Sequence, residues 1–351
     1  MYQNKRRAKI IYLQNHQIAK TLTKAQQYII ISIVVLSGLF FWLSQLKPEL
    51  ELPSAIGDPL ELVVVKDLSE FKSDFYQTLA NLLNTDIGPS PQTEMMLNII
   101  EIDNKKFTGI LQRHHNILII SKSQNFSIQI KKDVFAKDQT VILLACRSIQ
   151  DLDLHKVKIR QLNDSIKSVE IDRLISQIKK KNNKNLSNKI SQNHQISILV
   201  PNGFFLAHDD TNLTWIRRET PKLSQGIFIA NISKELQEQF FKEPSNVIDS
   251  LIKDHVSGPL LGSYMITERS ATVKKDSILV SGLPMIKHQS LWRIKNDFMG
   301  GIYMCYVLSE AINREPIFIY TYLYSPGEEK KTSLIQLEAI VHTMSLFKNR
   351  S

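Results

Sequence analysis

The chain has 351 residues, 43% of them hydrophobic, and a formal net charge of +10. These values exclude a disordered protein and leave room for about two domains with apolar cores. Six basic and no acidic residues lie within positions 1–24, so most of the excess charge is in the tail, and we expect no nucleic-acid partner. The two cysteines and the lack of any CxxC pair exclude a disulfide-rich scaffold and disfavour a zinc site, so we expect no metal and no cofactor.

An uncharged run of nineteen residues, YIIISIVVLSGLFFWLSQL, extends from Tyr28 to Leu46. At about 1.5 Å per helical residue it would reach roughly 28 Å, close to the thickness of a bilayer core. We therefore expect a transmembrane signal anchor over residues 25–46 and a basic cytoplasmic tail over 1–24. The positive flank predicts a protein that crosses the inner (cytoplasmic) membrane once, with its bulk in the periplasm. A cleaved signal peptide is the competing interpretation, which the length of the run disfavours.

A stalk over residues 47–59 is expected to lead into a first subdomain over 60–178. That subdomain opens with a β-branched strand at 60–65 and an amphipathic helix. Four more strands are predicted at 97–102, 116–121, 126–130 and 141–146. With a long helix over about 149–178, these elements predict a mixed α/β unit.

Residues 179–195 are rich in Lys, Asn and Ser and contain no aromatic residue. This composition favours a polar linker over a nucleic-acid surface. The second subdomain, residues 196–351, has closely spaced strands that favour antiparallel hairpins and a closing helix with an apolar stripe. The predicted fold class is α+β, with an N-terminal single transmembrane helix followed by two mixed or antiparallel sheet subdomains covered by helices.

Two glycine-containing loops, near residues 258–264 and 296–301, form the candidate ligand-binding site. Consecutive glycines allow positive φ and close backbone approach, so the second loop could form an amide-lined nest for an anion, although a plain hairpin needs the same glycines. If the two loops meet, they would make a groove with Arg293 as its charge. The candidate residues are Ser263, Tyr264, Trp292, Arg293, Asp297, Gly300 and Gly301.

Four aromatic residues alternate along one predicted strand. They are Phe318, Tyr320, Tyr322 and Tyr324. Such a ladder could be an exposed stacking platform for sugars or peptides, but it more often packs beneath a helix. We favour a core position under the closing helix.

Two further pairs of residues could be taken for a metal site or a disulfide, but each has a simpler explanation. His114 and His115 are adjacent on a predicted strand and point to opposite faces, so they are poorly placed to chelate one metal ion. Cys146 and Cys305 lie in apolar runs, where a free thiol behaves as a small hydrophobe. A disulfide between them is the alternative in an oxidising compartment.

Seven short pieces of the chain resemble the domain-of-unknown-function 4837 family of bacterial envelope proteins. The pieces are LELVVVKD at 60–67, SPQTE at 90–94, HHNILII at 114–120, NLTWIRRE at 212–219, SGPLLGSYM at 257–265, LWRIKNDFMGG at 291–301 and YSPGEEKKTSLIQLEAI at 324–340. The resemblance implies an envelope protein of unassigned function and supplies no catalytic residue. Members of the family are often lipoproteins, whereas this chain has no cysteine near its predicted anchor.

No GxSxG elbow, HExxH motif or Walker loop frames the Ser, His and carboxylate residues of the sequence. The leading hypothesis is a non-enzymatic binding or assembly module of the cell envelope, anchored in the membrane and engaging an envelope protein. The alternative is an envelope hydrolase or transferase that uses the loops near Ser263 and Arg293.

Overall fold

The computed structural model describes residues 28, 32–33, 35–37, 51–308 and 315–346. The chain divides into two compact units, Met1–Leu52 and Pro53–Ser351. All of the strands described below belong to the second unit. The predicted cytoplasmic tail over 1–24 lies outside the described residues.

No helix within the described ranges is long and apolar enough to cross a membrane. The predicted anchor over 25–46 lies largely outside these ranges, and helix is described there only at 28, 32–33 and 35–37. A bilayer span requires about 20 consecutive apolar residues. This finding contradicts the predicted transmembrane helix and the predicted inner-membrane, periplasmic localisation. Within the described ranges the fold class is α+β.

The first sheet has five strands, four of them parallel. They are β1 (Glu61–Lys66), β2 (Asn98–Asp103), β3 (Asn116–Lys122), β4 (Ser127–Lys132) and β5 (Thr140–Cys146). Their order is β2-β1-β3-β5-β4, and β4 is antiparallel to β5. Strands β1, β3 and β5 are nearly continuous apolar runs, as expected for strands covered on both faces. Alternate residues of β1 confirm this, because Leu62 and Val64 join one apolar cluster while Val63 and Val65 join another.

Four helices follow or connect these strands. They are α1 (Ser73–Leu83), α2 (Ile149–Leu154), α3 (Lys156–Lys180) and α4 (Lys184–His194). Helix α4 replaces most of the predicted polar linker over 179–195. Asn183 caps it by accepting from the backbone N–H of Leu186, and its face with Leu186, Ile190 and His194 is buried. The segment is therefore helix because its two apolar residues are four apart, although lysines and asparagines dominate its composition.

The second sheet has eight strands and is antiparallel. They are β7 (Phe205–Asp209), β8 (Leu213–Thr220), β9 (Leu223–Asn231), β10 (Met265–Thr267), β11 (Lys274–Val280), β12 (Leu283–Ile294), β13 (Gly300–Leu308) and β14 (Ile317–Tyr324). Their order is β10-β12-β13-β14-β9-β8-β7, and β11 pairs with the first half of β12. Two short strands, β6 (Ile196–Ser197) and β15 (Ser345–Leu346), pair with each other.

Different helices cover the two faces of this sheet. Helix α7 (Lys331–His342) contributes to the same apolar cluster as α1, α3, α4 and the first sheet. Helices α5 (Lys234–Lys242) and α6 (Pro244–Ile252) contribute to a second cluster on the opposite face. The aromatic ladder belongs to that second cluster. Burial is confirmed for Phe318, Tyr320 and Tyr322, whereas Tyr324 is partly buried. The expected cover by the closing helix α7 is wrong, because the odd-numbered neighbours Ile317 and Ile319 face the α7 side.

Both cysteines are buried and free. Cys146 belongs to the cluster that contains α7, and Cys305 belongs to the cluster on the other face of the second sheet. The alternative of a Cys146–Cys305 disulfide is therefore wrong.

Candidate functional site

Strand pairing brings the predicted site residues to one end of the second sheet. Strand β10 pairs with the end of β12, so that Thr267 lies opposite Trp292. Strand β13 pairs with β12 on its other side, so that Gly301 also lies opposite Trp292. The loops before β10 and after β12 consequently lie side by side. We call residues 258–264 and 295–299 the tip loops.

The first tip loop closes on itself. The backbone N–H of Gly258 donates to the carbonyl of Ser263 at 2.9 Å. The Ser263 hydroxyl donates to the Leu260 carbonyl at 2.5 Å and accepts from the Leu260 N–H at 3.1 Å. Ser263 is buried, and these contacts are those of a structural turn.

The second tip loop is closed by Asp297. One oxygen of its carboxylate accepts from the backbone N–H groups of Phe298 and Met299, at 2.6 and 3.1 Å. Asn296 supplies the positive φ of the turn, at 65°, a conformation that asparagine tolerates better than most residues. The backbone N–H of Ile294 donates to the Met299 carbonyl at 2.8 Å, which ends the loop.

Two hydrogen bonds join the tip loops to each other. The backbone N–H of Lys295 donates to the Tyr264 carbonyl at 2.8 Å. The Lys295 ammonium also donates to the Tyr264 hydroxyl at 3.1 Å. Both loops are therefore held in one arrangement rather than hanging independently from the sheet.

Gly300 and Gly301 lie on strand β13, and neither has a positive φ. A Cβ on Gly301 would stand 2.1 Å from the Leu323 carbonyl oxygen and 2.9 Å from Trp292 Nε1. Gly301 therefore makes room for the Leu323 carbonyl and for the buried Trp292 ring, whose N–H donates to that carbonyl at 3.3 Å. Gly300 makes room for the backbone carbonyl of Trp292. Their role is close packing, and the geometry gives no support to the amide nest, which was one of the two interpretations of this loop.

Arg293 does not point a free charge at the groove between the loops. Its Nε lies 3.0 Å from a carboxylate oxygen of Glu268. Hydrogen bonds from the Ser270 hydroxyl and backbone N–H, together with the nearby charge of Arg293, hold the pKa of Glu268 below its ordinary value. The pair is a partly exposed ion pair at the edge of the tip loops.

Three large apolar side chains at the tips were missed by sequence reasoning. Leu261 and Phe298 are fully exposed, and Leu260 is 56% exposed. The sequence did contain the signal, since Leu-Leu and Phe-Met stand inside glycine-containing loops where small or polar residues are usual. Exposed apolar groups that adjoin one another mark interaction surfaces more often than polar loops do.

A different cleft, of about 560 Å³, lies beside helix α3 in the first half of the structure. Arg173 lines it, but its guanidinium is engaged by neighbours that include the Glu170 carboxylate at 2.6 Å and the Asn116 side-chain oxygen at 3.0 Å. Arg173 therefore links helix α3 to strand β3 of the first sheet. Within the described ranges, no group of three or more His, Cys, Asp or Glu side chains could hold a metal ion.

Two family models match the sequence, and both describe domains of unknown function. The model of DUF8532 matches residues 55–179, and the model of DUF4837 matches residues 183–343. Three of the seven sequence pieces that resemble DUF4837, at 60–67, 90–94 and 114–120, lie within the match to DUF8532 instead. The tip loops lie within the DUF4837 match.

No curated protein matches this sequence. Among solved structures, the Saccharomyces cerevisiae Ran-binding protein Mog1p is similar over 43% of this chain and 90% of its own, at 10% identity and a TM-score of 0.29. The human StarD13 (DLC2) lipid transfer and protein localization domain is similar over 46% and 92%, at 8% identity and a TM-score of 0.20. At these TM-scores neither similarity carries an argument about this chain. The match to the DUF4837 model supports the resemblance to that family of domains of unknown function over residues 183–343.

Proposed function

We propose that this protein is a non-enzymatic binding module that engages a partner protein through its tip loops. The observation that carries the proposal is the full exposure of Leu261 and Phe298 on two loops that hydrogen bonds hold side by side. Transfer of one such side chain from water into a protein pocket is worth about 1.5–3 kcal/mol. Since the loops are already ordered, little of that free energy would be lost in fixing them on binding.

The polar groups next to the tip loops favour a protein as the partner. The Lys295–Tyr264 hydrogen bond joins the tip loops, the Arg293–Glu268 ion pair lies next to them along the chain, and both remain partly exposed. An apolar centre with a polar, solvated border is the usual anatomy of a protein–protein interface. Both signs of charge are present among the polar groups next to the tip loops, which suits a protein surface better than a purely anionic one.

The alternative of a hydrolase or transferase has less support. Ser263 is the candidate residue with a hydroxyl group in the first tip loop, and this hydroxyl donates to the carbonyl of Leu260 within its own turn. A nucleophilic serine requires a general base within hydrogen-bonding distance, and the hydrogen bonds of this hydroxyl go to backbone groups instead. The polar residues of the tip loops are therefore better placed to hold the loops in shape than to catalyse a reaction.

The test is cross-linking from the tips themselves. A photo-reactive amino acid at position 261 of the tagged full-length protein should yield a discrete adduct in cells of the source organism, and mass spectrometry identifies its protein. The affinity of the purified pair is then measured by titration calorimetry. The double variant Leu261→Ser/Phe298→Ser should bind at least about tenfold more weakly, from the loss of one or both buried side chains.

Leu154→Ser is the matched control, because Leu154 is 75% exposed on helix α2, outside the tip loops. It should bind as the wild type does. Equal affinity of the double variant and the wild type would refute the proposal. Co-sedimentation with lipid vesicles that depends on Leu261 and Phe298, without a protein adduct, would also refute it and would assign the tips to a lipid surface.

A further inference from the structure

The match to the DUF8532 model ends at residue 179, and the match to the DUF4837 model begins at residue 183. The main apolar cluster nevertheless contains residues from both matched segments. We call residues 55–179 the first domain and residues 183–343 the second domain. The cluster includes Leu118 and Ile166 from the first domain and Ile229 and Leu337 from the second, all buried. Burial of apolar surface is the dominant favourable term in folding. Separation of the domains would return part of this shared surface to water.

Glu94 of the first domain holds the beginning of helix α7 in the second. Its two carboxylate oxygens each accept from the backbone N–H of Lys330 at 3.0 Å, and one also accepts from the N–H of Lys331 at 2.9 Å. The first N–H groups of a helix have no partner inside the helix, and a carboxylate there also interacts favourably with the helix dipole. The first turn of α7 contains no acidic residue of its own. The first domain therefore supplies the cap that the helix lacks.

Lys331 makes the return connection from α7 to the first domain. Its ammonium donates to the Met95 carbonyl at 3.1 Å and to the side-chain oxygen of Asn98 at 2.6 Å. The Lys331 side chain is almost fully buried. A buried ammonium needs hydrogen-bond acceptors, and the first domain provides two of them.

A buried ionic cluster spans the same boundary. The Glu338 carboxylate on α7 lies 2.8 Å from the ammonium of Lys167 on α3 and 2.7 Å from that of Lys287 on β12. Burial by itself would raise the pKa of Glu338, but the charges of Lys287 and Lys167 outweigh it and hold the pKa below its ordinary value. Beside this cluster, the side chain of Gln289 donates to the Ile87 carbonyl at 2.9 Å. Removal of one partner of such a cluster leaves a buried charge poorly compensated.

We propose that the two domains of unknown function fold as one cooperative unit, and that the α7–β12 face of the second domain is a surface that requires the first domain as its partner. The cap from Glu94, the acceptors for Lys331 and the ion pair from Lys167 all enter this face from the first domain. The two family matches thus describe pieces of one physical unit rather than two independent modules. This inference does not depend on what the tip loops bind.

The test is native-state hydrogen exchange of the full-length protein, read by mass spectrometry on peptides from β3 in the first domain and β13 in the second. The most protected amides exchange only through global opening, so their protection factors report the unfolding equilibrium of each domain. In Glu94→Gln, the neutral side chain keeps its size but loses its charge at the helix terminus. Protection should fall about fivefold to thirtyfold in both peptides and by the same factor.

Lys167→Met breaks the ionic cluster from the side of the first domain and should also lower protection equally in both peptides. Glu101→Gln is the matched control, because Glu101 pairs with Lys66 at the surface of the first domain. It should leave both protection factors near the wild-type values. A fall confined to one domain, in either test variant, would show that the domains unfold independently and would overturn the proposal. Unchanged protection in both test variants would overturn it as well.

Discussion

His288 makes the stability of this protein depend on pH. The side chain lies on strand β12 with 3% of its surface exposed, and neither ring nitrogen has a hydrogen-bond partner among the described residues. Its ring is 5.0 Å from that of Phe240, and its cross-strand neighbour is Cys305. Burial, with a smaller contribution from the charge of Lys275, lowers the pKa of His288 from 6.5 to about 4. The folded protein therefore holds this imidazole neutral in an apolar setting.

The sign of the effect follows from proton binding. In the unfolded chain His288 binds a proton near pH 6.5, whereas in the folded protein it does so near pH 4. Between these values the unfolded state binds more protons, so the free energy of unfolding falls as the pH falls. At about 1.4 kcal/mol for each pH unit in that window, the loss is about 3 kcal/mol, complete below pH 4 and absent above pH 6.5. Burial also lowers the pKa of His115, His194, His255 and His342, which act in the same direction.

His288→Phe tests this reasoning, because phenylalanine keeps a ring beside Phe240 and removes the titrating group. Urea unfolding followed by circular dichroism at pH 7.5, 6.0 and 4.5 gives the free energy of unfolding of each variant. The loss of stability from pH 7.5 to 4.5 should be about 2–3 kcal/mol smaller in His288→Phe than in the wild type. His155→Phe, at a half-buried position on the surface, controls for the removal of a histidine. An unchanged pH dependence in His288→Phe, or an equal change in the control, would refute the argument.

Three further predictions concern packing, charge and reactivity in the core. A Cβ on Gly226 would stand 2.0 Å from the ring of Tyr322, so Gly226→Ala should lower the free energy of unfolding by about 1–3 kcal/mol, and a variant as stable as the wild type in urea would contradict this packing. Glu338→Gln leaves the buried ammonium of Lys287 without its carboxylate and should cost about 3–5 kcal/mol in the same assay; a loss below 1 kcal/mol would contradict the assignment. Burial raises the pKa of the Cys305 thiol, so iodoacetamide should modify it in urea and leave it unmodified in the native protein, and rapid native modification would count against its burial.

The strands of the first sheet could be predicted from the sequence to within a residue or two. The run predicted at 60–65 is β1 at Glu61–Lys66, and the run at 141–146 is β5 at Thr140–Cys146. Short runs rich in β-branched residues and bounded by turn residues are typical of buried strands, and their length distinguishes them from helices. The strand order β2-β1-β3-β5-β4 could not be predicted, because it depends on contacts between residues far apart in the chain.

Composition misled where a few apolar residues are set among many polar ones. In residues 184–194 the lysines and asparagines indicated a linker, but Leu186 and Ile190 are spaced to bury one face of a helix. The aromatic ladder shows a limit of periodicity rather than of composition. Its alternation predicted a buried face correctly, yet alternation cannot tell which helix covers that face, and α5 and α6 cover it rather than α7.

The tip loops show what residue types alone leave out. Sequence reasoning selected Ser263, Arg293 and Asp297 because they lie in or beside the two glycine-containing loops. In the structure Ser263 closes its own turn, Asp297 accepts from two backbone N–H groups, and Arg293 pairs with Glu268. The polar groups are thus used to hold the loops in place, and the side chains that project beyond them are apolar. A loop whose polar groups are engaged internally and whose apolar groups are exposed is better suited to hold another molecule than to transform one.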